Sequence, residues 1–313
     1  MAKKEFNMDY IYNYGFGIEI EMTGITREKA CAVAQAIIGG TVQYYGGTYR
    51  EWHLIAPDGR KWKFVYDSSI QARSDDYRCE LNSPVLTYSQ DMETLQNLVR
   101  ALRRAGAYTG AEYNCGVHIH VSAAKHTAQT VKNFCNLIWA QDELVRKSLG
   151  VTNDRQHWCK PLTSEFINKL PGVKNLDQLE DAWYRTYAPG ESRNAHYNSS
   201  RYHLLNLHRY FSTFGRPENT IEIRAFNASL HAGVIRSYVV FVLAMNGQAL
   251  QSKRILADKN PVMVAGNEKF AMRTWLNRIG FIGDEFKNCR EHLNKNLAGD
   301  AAWRFGKNGD LYR

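Results

Sequence analysis

The chain has no apolar run of about 18 residues, the length a membrane-spanning helix needs, so no span is expected. Basic residues stand near the start, in MAKKEFNMDYIYNYG, but no apolar run follows them, so a secretory signal is not expected. The six cysteines, Cys31, Cys79, Cys115, Cys135, Cys159 and Cys289, form no CxxC pair and no disulfide-dense spacing. They read as reduced, mostly buried thiols of a cytoplasmic protein. There is no GxxxxGK[ST] loop, and Gly15-Phe-Gly17 lacks the third glycine of a dinucleotide fingerprint. P-loop and Rossmann enzymes are therefore disfavoured. No internal repeat or low-complexity tract appears, and no basic arm of the kind that grips DNA.

What remains is a globular composition: 313 residues, 44% hydrophobic and 23% charged. That length can bury a large core. Lys and Arg number 40 against 31 Asp and Glu, a formal charge of +9 spread along the chain. A basic surface draws polyanions, although it also serves plain solubility.

Local signals divide the chain. A strand over about 15–23 opens on Gly15 and Gly17. Thr26 caps a helix over 27–38 that stops at Gly39-Gly40. EWHLIA and KWKFVYD flank Pro57-Asp58-Gly59, a hairpin turn signal. A strand over 77–82 precedes a helix over 89–105, where Leu95, Leu98, Val99 and Leu102 fall at helical spacing. Further strands are expected at 116–122, 203–208 and 219–226, and helices at 127–148 and 231–250. Residues 150–200 read as a loop-rich insertion with short helices. Within it, 187–202 is a candidate lid on composition. The expected domains are a catalytic unit over 1–250 and a C-terminal helical extension over 251–313. Period-2 strands with one polar face favour an α+β fold: a curved, mainly antiparallel sheet, helices on one face, and an open polar face.

Three strands carry the same device, two polar side chains flanking an isoleucine: Glu19-Ile20-Glu21, His118-Ile119-His120 and Glu222-Ile223-Arg224. Residues i and i+2 of a strand share a face, so each pair aims one way while the isoleucine aims the other. Taken singly, each pair also fits a solvated sheet face or a structural salt bridge. Enclosed carboxylates, however, need a compensating cation, and Mg²⁺ suits carboxylate oxygens. Zinc is the usual partner of HxH, yet no third His or Cys stands at a familiar zinc spacing, which favours Mg²⁺ or Mn²⁺. Arg224 offers the fork geometry that matches phosphate oxygens. Asp67, in YDSSI, and Glu80, in CELNSP, are weaker candidates.

The ordered set GFGIEIEM, YDSSI, CELNSPVL, CGVHIHVS and NTIEIRAF resembles the amidoligase family of the glutamine synthetase and glutamate–cysteine ligase superfamily. The resemblance spans about residues 14–245. It implies a glutamine synthetase catalytic-domain-like fold and an ATP- and Mg²⁺-dependent carboxylate–amine ligase working through an acyl phosphate. It implies that Glu19, Glu21, Glu80, His118 and Glu222 bind metal. It implies that His120 and Ser122 lie near the nucleotide, that Arg224 binds phosphate, and that Asp67 serves the amine or acyl substrate. The chain departs from the superfamily in lacking a second glutamate near Glu80. The expected partners are a small-molecule or peptide carboxylate and an amine, with a nucleic-acid-linked substrate as a variant. Trp158, Trp183, Tyr184 and Tyr187 are aromatic candidates for a base platform or for core. A Mg²⁺-dependent phosphodiester hydrolase or nuclease and a non-catalytic nucleotide-binding protein are the competing readings.

Overall fold

The computed structural model describes residues 5–151, 153–213, 215, 216, 219–258 and 267–305. A single turn, α1 (Asp9–Tyr12), leads into β1 (Phe16–Met22), whose alternate residues Ile18, Ile20 and Met22 are almost fully buried. Thr26 accepts the Lys29 N–H and starts α2 (Arg27–Ile38), which ends at Gly39 with φ of 83°. Glycine tolerates that backbone where other residues strain.

Next come β2 (Thr41–Gly46), β3 (Glu51–Ile55) and β4 (Lys61–Val65). The hairpin expected around Pro57-Asp58-Gly59 joins β3 to β4. β2 has no counterpart in the sequence reading. It is an edge strand whose Tyr44 and Tyr45 stay exposed and lean on Trp52 and His53 of β3. An edge strand with solvent on most of its length leaves no hydrophobic alternation to detect.

β5 (Cys79–Asn82), α3 (Tyr88–Arg104), β6 (Gly116–Ser122) and α4 (Ala128–Leu149) follow. Thr127 and Thr130 form a reciprocal capping box at the start of α4, and Gly150 closes it in the left-handed region. Within the expected insertion are α5 (Ser164–Lys169) and α6 (Leu176–Tyr187). Then come β7 (Leu205–Asn206), α7 (His208–Ser212), β8 (Thr220–Asn227) and α8 (Ala232–Gln251). Last are α9 (Glu268–Arg278) and α10 (Lys287–Asn294), where the sequence pattern is weak.

The strands form one eight-stranded sheet in the order β2-β3-β4-β5-β1-β6-β8-β7, and every neighbouring pair is antiparallel. The α+β expectation holds. Ile18, Ile20, Val117, Ile119, Val121, Ile221 and Ile223 join a single hydrophobic core with residues of α2, α3, α4 and α8. Each large aliphatic side chain so buried stabilises the fold by roughly 1.5–3 kcal/mol. Trp275, Phe281, Phe286 and Leu293, beyond residue 251, belong to that same core. α8 is long and apolar enough to cross a membrane by length and composition, which qualifies the reading that the chain offers no such run. It is a core helix here: 72% of that window is buried within the protein. All six cysteines are free and buried.

Candidate active site

Antiparallel pairing turns the three polar pairs into one surface. β1 lies between β5 and β6, so Glu21 stands opposite Glu80 and Glu19 opposite His118. β8 flanks β6 on its other side, with Glu222 opposite His120. The β6–β8 register shifts between Val117 and Ile119, so that Arg224 and Ala225 together oppose the single residue His118. Such a bulge re-aims a side chain, and the Arg224 N–H pairs outward to the Leu204 carbonyl. Asp67 follows β4 by two residues, continuing the cleft-facing alternation of Lys63 and Val65. These residues line a cleft of about 630 Å³.

Two groups of ligand atoms form there, each with its members within 4.8 Å of one another: Glu19, His120 and Glu222 in one, Glu21, Asp67 and Glu80 in the other. In the first group the charges are balanced. Glu19 is bridged by both imidazoles, Oε2 at 2.9 Å from His118 Nδ1 and Oε1 at 3.0 Å from His120 Nε2. Burial pushes its pKa up, but the two histidines outweigh burial and hold it well below the usual range. Glu222 accepts from Asn206 Nδ2 at 2.6 Å and from Arg224 Nη1. Burial opposes its charge too, yet Arg224 and the histidines bring its pKa down to about 2.

His118 is buried, and burial with the nearby Arg224 lowers its pKa to about 4, so the ring is neutral at pH 7. Its one proton serves Glu19 from Nδ1, which leaves Nε2 a buried lone pair with no partner among the described residues. His120 goes the other way: burial lowers its pKa, but Glu19 outweighs burial and raises it.

The second group is unbalanced. Glu80 is raised well above the carboxylate range by burial and then by repulsion from Glu19, Glu21 and Asp67. Glu21 rises to about 8, through burial and Asp67, against the pull of Arg155 and Arg224. Its Oε2 accepts the Gly116 N–H at 2.5 Å. Three acids in mutual repulsion are the donor set a hard divalent cation fits.

All the strand-borne candidates except Ser122 converge here. Asp67, expected at the substrate, lies with Glu21 and Glu80 and supplies in space the extra acid that the sequence lacks beside Glu80. His120, expected near the nucleotide, lies with Glu19 and Glu222. Ser122 ends β6 opposite Thr220 and is not among the residues lining the cleft. The 187–202 segment forms part of the wall: Tyr197 Oη is 3.3 Å from Tyr49 Oη, and His196, Arg201 and Tyr202 face the cleft. Of the aromatic candidates, Trp183 and Tyr184 are buried core, Tyr187 packs against that core, and Trp158 lines the cleft.

Arg155 was not foreseen. It is 3% exposed, lines the cleft, and donates from Nη2 to the Arg224 carbonyl at 3.1 Å, while its Nε has no partner among the described residues. It sits in a single 3-10 turn, Asp154–His157, where neither periodicity nor motif marks it.

The model of the family described as "Putative amidoligase enzyme" matches residues 12–246, and the chain belongs to that family. No curated protein matches the chain. Among solved structures, a bifunctional glutathione synthetase from Pasteurella multocida is similar at 12% identity and a TM-score of 0.44, over 93% of this chain. The chain spans 49% of that protein's length.

Proposed function

We propose that the protein is an ATP-dependent carboxylate–amine ligase that activates its acid as an acyl phosphate. The observation that carries this reading is the pair of ligand groups set side by side in one cleft, with Arg224 and Arg155 beside them. Glu19, His120 and Glu222 would hold one divalent cation, Glu21, Asp67 and Glu80 a second, with the free His118 Nε2 as a further donor. Bound there, Mg²⁺ or Mn²⁺ supplies charge neutralisation for a triphosphate.

The chain's own groups do the rest. Arg224, fixed by Glu222, presents positive charge to the transferring phosphoryl group, and Arg155 reinforces it. The carboxylate oxygen of the substrate forms a bond to the γ-phosphorus as the β–γ bridging bond breaks and ADP leaves. The amine nitrogen then bonds the acyl carbon, the carbon–oxygen bond to phosphate breaks, and inorganic phosphate leaves. Asp67, half-buried two residues past β4, takes the proton the amine gives up on the carboxylate oxygen that a cation would leave free. Tyr49 and Tyr197, meeting across the cleft, limit water that would hydrolyse the acyl phosphate.

A small-molecule or peptide acid and an amine are the proposed substrates. Trp158, Tyr202, Arg201 and Arg209 on the wall also suit a donor that carries a nucleobase. The buried free thiols accord with a cytoplasmic enzyme.

The test is a screen of purified protein with ATP, Mg²⁺ and pools of acids and amines. ADP and phosphate should appear in equal amounts only when both an acid and an amine are present. Cleavage of a phosphodiester with no ADP formed would overturn the reading in favour of a hydrolase. Absence of Mg²⁺-dependent ATP binding in calorimetry would overturn it in favour of a non-catalytic protein.

A further inference from the structure

A second cavity, of about 530 Å³, lies among the helices and shares no lining residue with the cleft. α3 packs against α8, and both lie on the apolar side of the sheet. Arg100, Arg103 and Arg104 stand at i, i+3 and i+4 near the end of α3, so one helix face carries all three guanidiniums. His231 and Arg236 of the α8 N-terminal region and His292 of α10 face them across the cavity. Among the described residues no carboxylate lines it.

The arginines are available. Among the described residues Arg103 and Arg104 make no side-chain hydrogen bond or ion pair, and Arg100 donates only to Asn97 Oδ1, at 2.9 Å. Arg236 is held in place by Tyr88, with Glu285 at 3.5 Å behind it. Basic residues in the last turn of a helix suit its carbonyl end. That accounts for Arg103 and Arg104. It does not account for the convergence of Arg236, His231 and His292 from two other helices on the same concavity.

The floor is shaped for an anion as well. His231 Nδ1 accepts the Val234 N–H, which turns Nε2 into the donor when the ring is neutral. Ala232 and Gly233 of the first turn of α8 complete the floor. A Cβ at Gly233 would come within 3.1 Å of both the His231 and His292 rings, so glycine keeps this floor open.

We propose that this cavity binds a small ligand carrying two or more phosphate groups. Four guanidiniums around one concavity match the forked geometry of phosphate oxygens and exceed what a single carboxylate would satisfy. The volume suits a small molecule. The basic side chains ring a hollow, whereas a nucleic-acid strand is tracked by an extended groove. The proposal stands independently of the chemistry assigned to the cleft.

The experiment is isothermal titration calorimetry of the full chain with inorganic tripolyphosphate, in EDTA to silence cation-dependent binding in the cleft. Binding is expected, and the double variant Arg103→Ala, Arg104→Ala should weaken it about tenfold or more. Both side chains are exposed, so the variant should melt like the parent. Arg100→Gln should weaken binding less, and Arg224→Lys in the cleft should leave it unchanged. The proposal is overturned by undiminished affinity in the double variant, or by a loss seen with Arg224→Lys instead. It is equally overturned if tripolyphosphate fails to bind while a single-stranded oligonucleotide does.

Discussion

The Arg155 guanidinium passes over Gly116 in the space a Cβ would occupy, while the Gly116 N–H donates to Glu21 Oε2. One residue thus makes room for a buried cation and anchors a buried acid. The constraint on this glycine is one of space, since its φ lies outside the left-handed region. Gly116→Ala should displace Arg155 at an overpacking cost of roughly 1–3 kcal/mol. A lowered melting temperature together with a fall in ligation is expected. A variant that melts and turns over like the parent would show that Arg155 moves aside freely and has no positioning role.

The cleft variants test the chemistry. Glu19→Ala, Glu222→Ala and Arg224→Ala should each lower ATP-dependent ligation by about 10²-fold or more, the scale of lost electrostatic catalysis. Glu222 and Arg224 are a buried pair, so removing one strands the other's charge. Glu222→Gln and Arg224→Lys are therefore run beside them, with circular dichroism to confirm folding. Near-normal turnover in all the folded variants would remove these residues from the mechanism.

Repulsion in the second acid group predicts a crossover. In EDTA, Glu80→Gln should melt at or above the parent, because one buried, repelled carboxylate is gone. With Mg²⁺ or Mn²⁺ added, the parent should gain stability by mass action, about 2.7 kcal/mol at a hundredfold excess over Kd, and the variant much less. Differential scanning fluorimetry in both conditions reads this out. A parent whose melting temperature ignores both cations would contradict the assignment of the group.

Away from the cleft, burial lowers the pKa of His126 and of His203 to about 4 from 6.5. Both rings are hydrogen-bonded, His126 Nε2 to Asn246 at 2.8 Å and His203 Nδ1 to the Ser200 carbonyl at 2.9 Å. A histidine depressed in the folded state is protonated first in the unfolded chain. Stability is therefore full above pH 6.5 and falls as pH drops from 6.5 toward 4, by up to about 3 kcal/mol per ring. Urea unfolding at pH 7 and pH 5 should show a shallower acid loss in His126→Gln than in the parent. Equal slopes would exclude His126 as a source.

Much of this was legible beforehand because it is local. Thr26, Gly39 and the 3.6-residue spacing mark α2, and Pro57-Asp58-Gly59 marks the β3–β4 turn. Glu19-Ile20-Glu21 declares both its faces through a period of two. Arg155 and β2 escaped for opposite reasons. The arginine is buried by contacts from Gly116 and Arg224, distant in sequence, and β2 buries too little to leave a pattern.

The residue order alone specified which side chains face away from the core, since alternation along a strand is a property of the chain's own geometry. It also specified the family. Which acid meets which partner is a matter of register between strands. Glu21 faces Glu80 because β5 pairs with β1, and Glu19 is shared by His118 and His120 because β6 pairs on the other side. The split into one charge-balanced group and one repelling group, and the gathering of arginines behind the sheet, arise from packing between segments far apart in the chain. No local pattern encodes those distances.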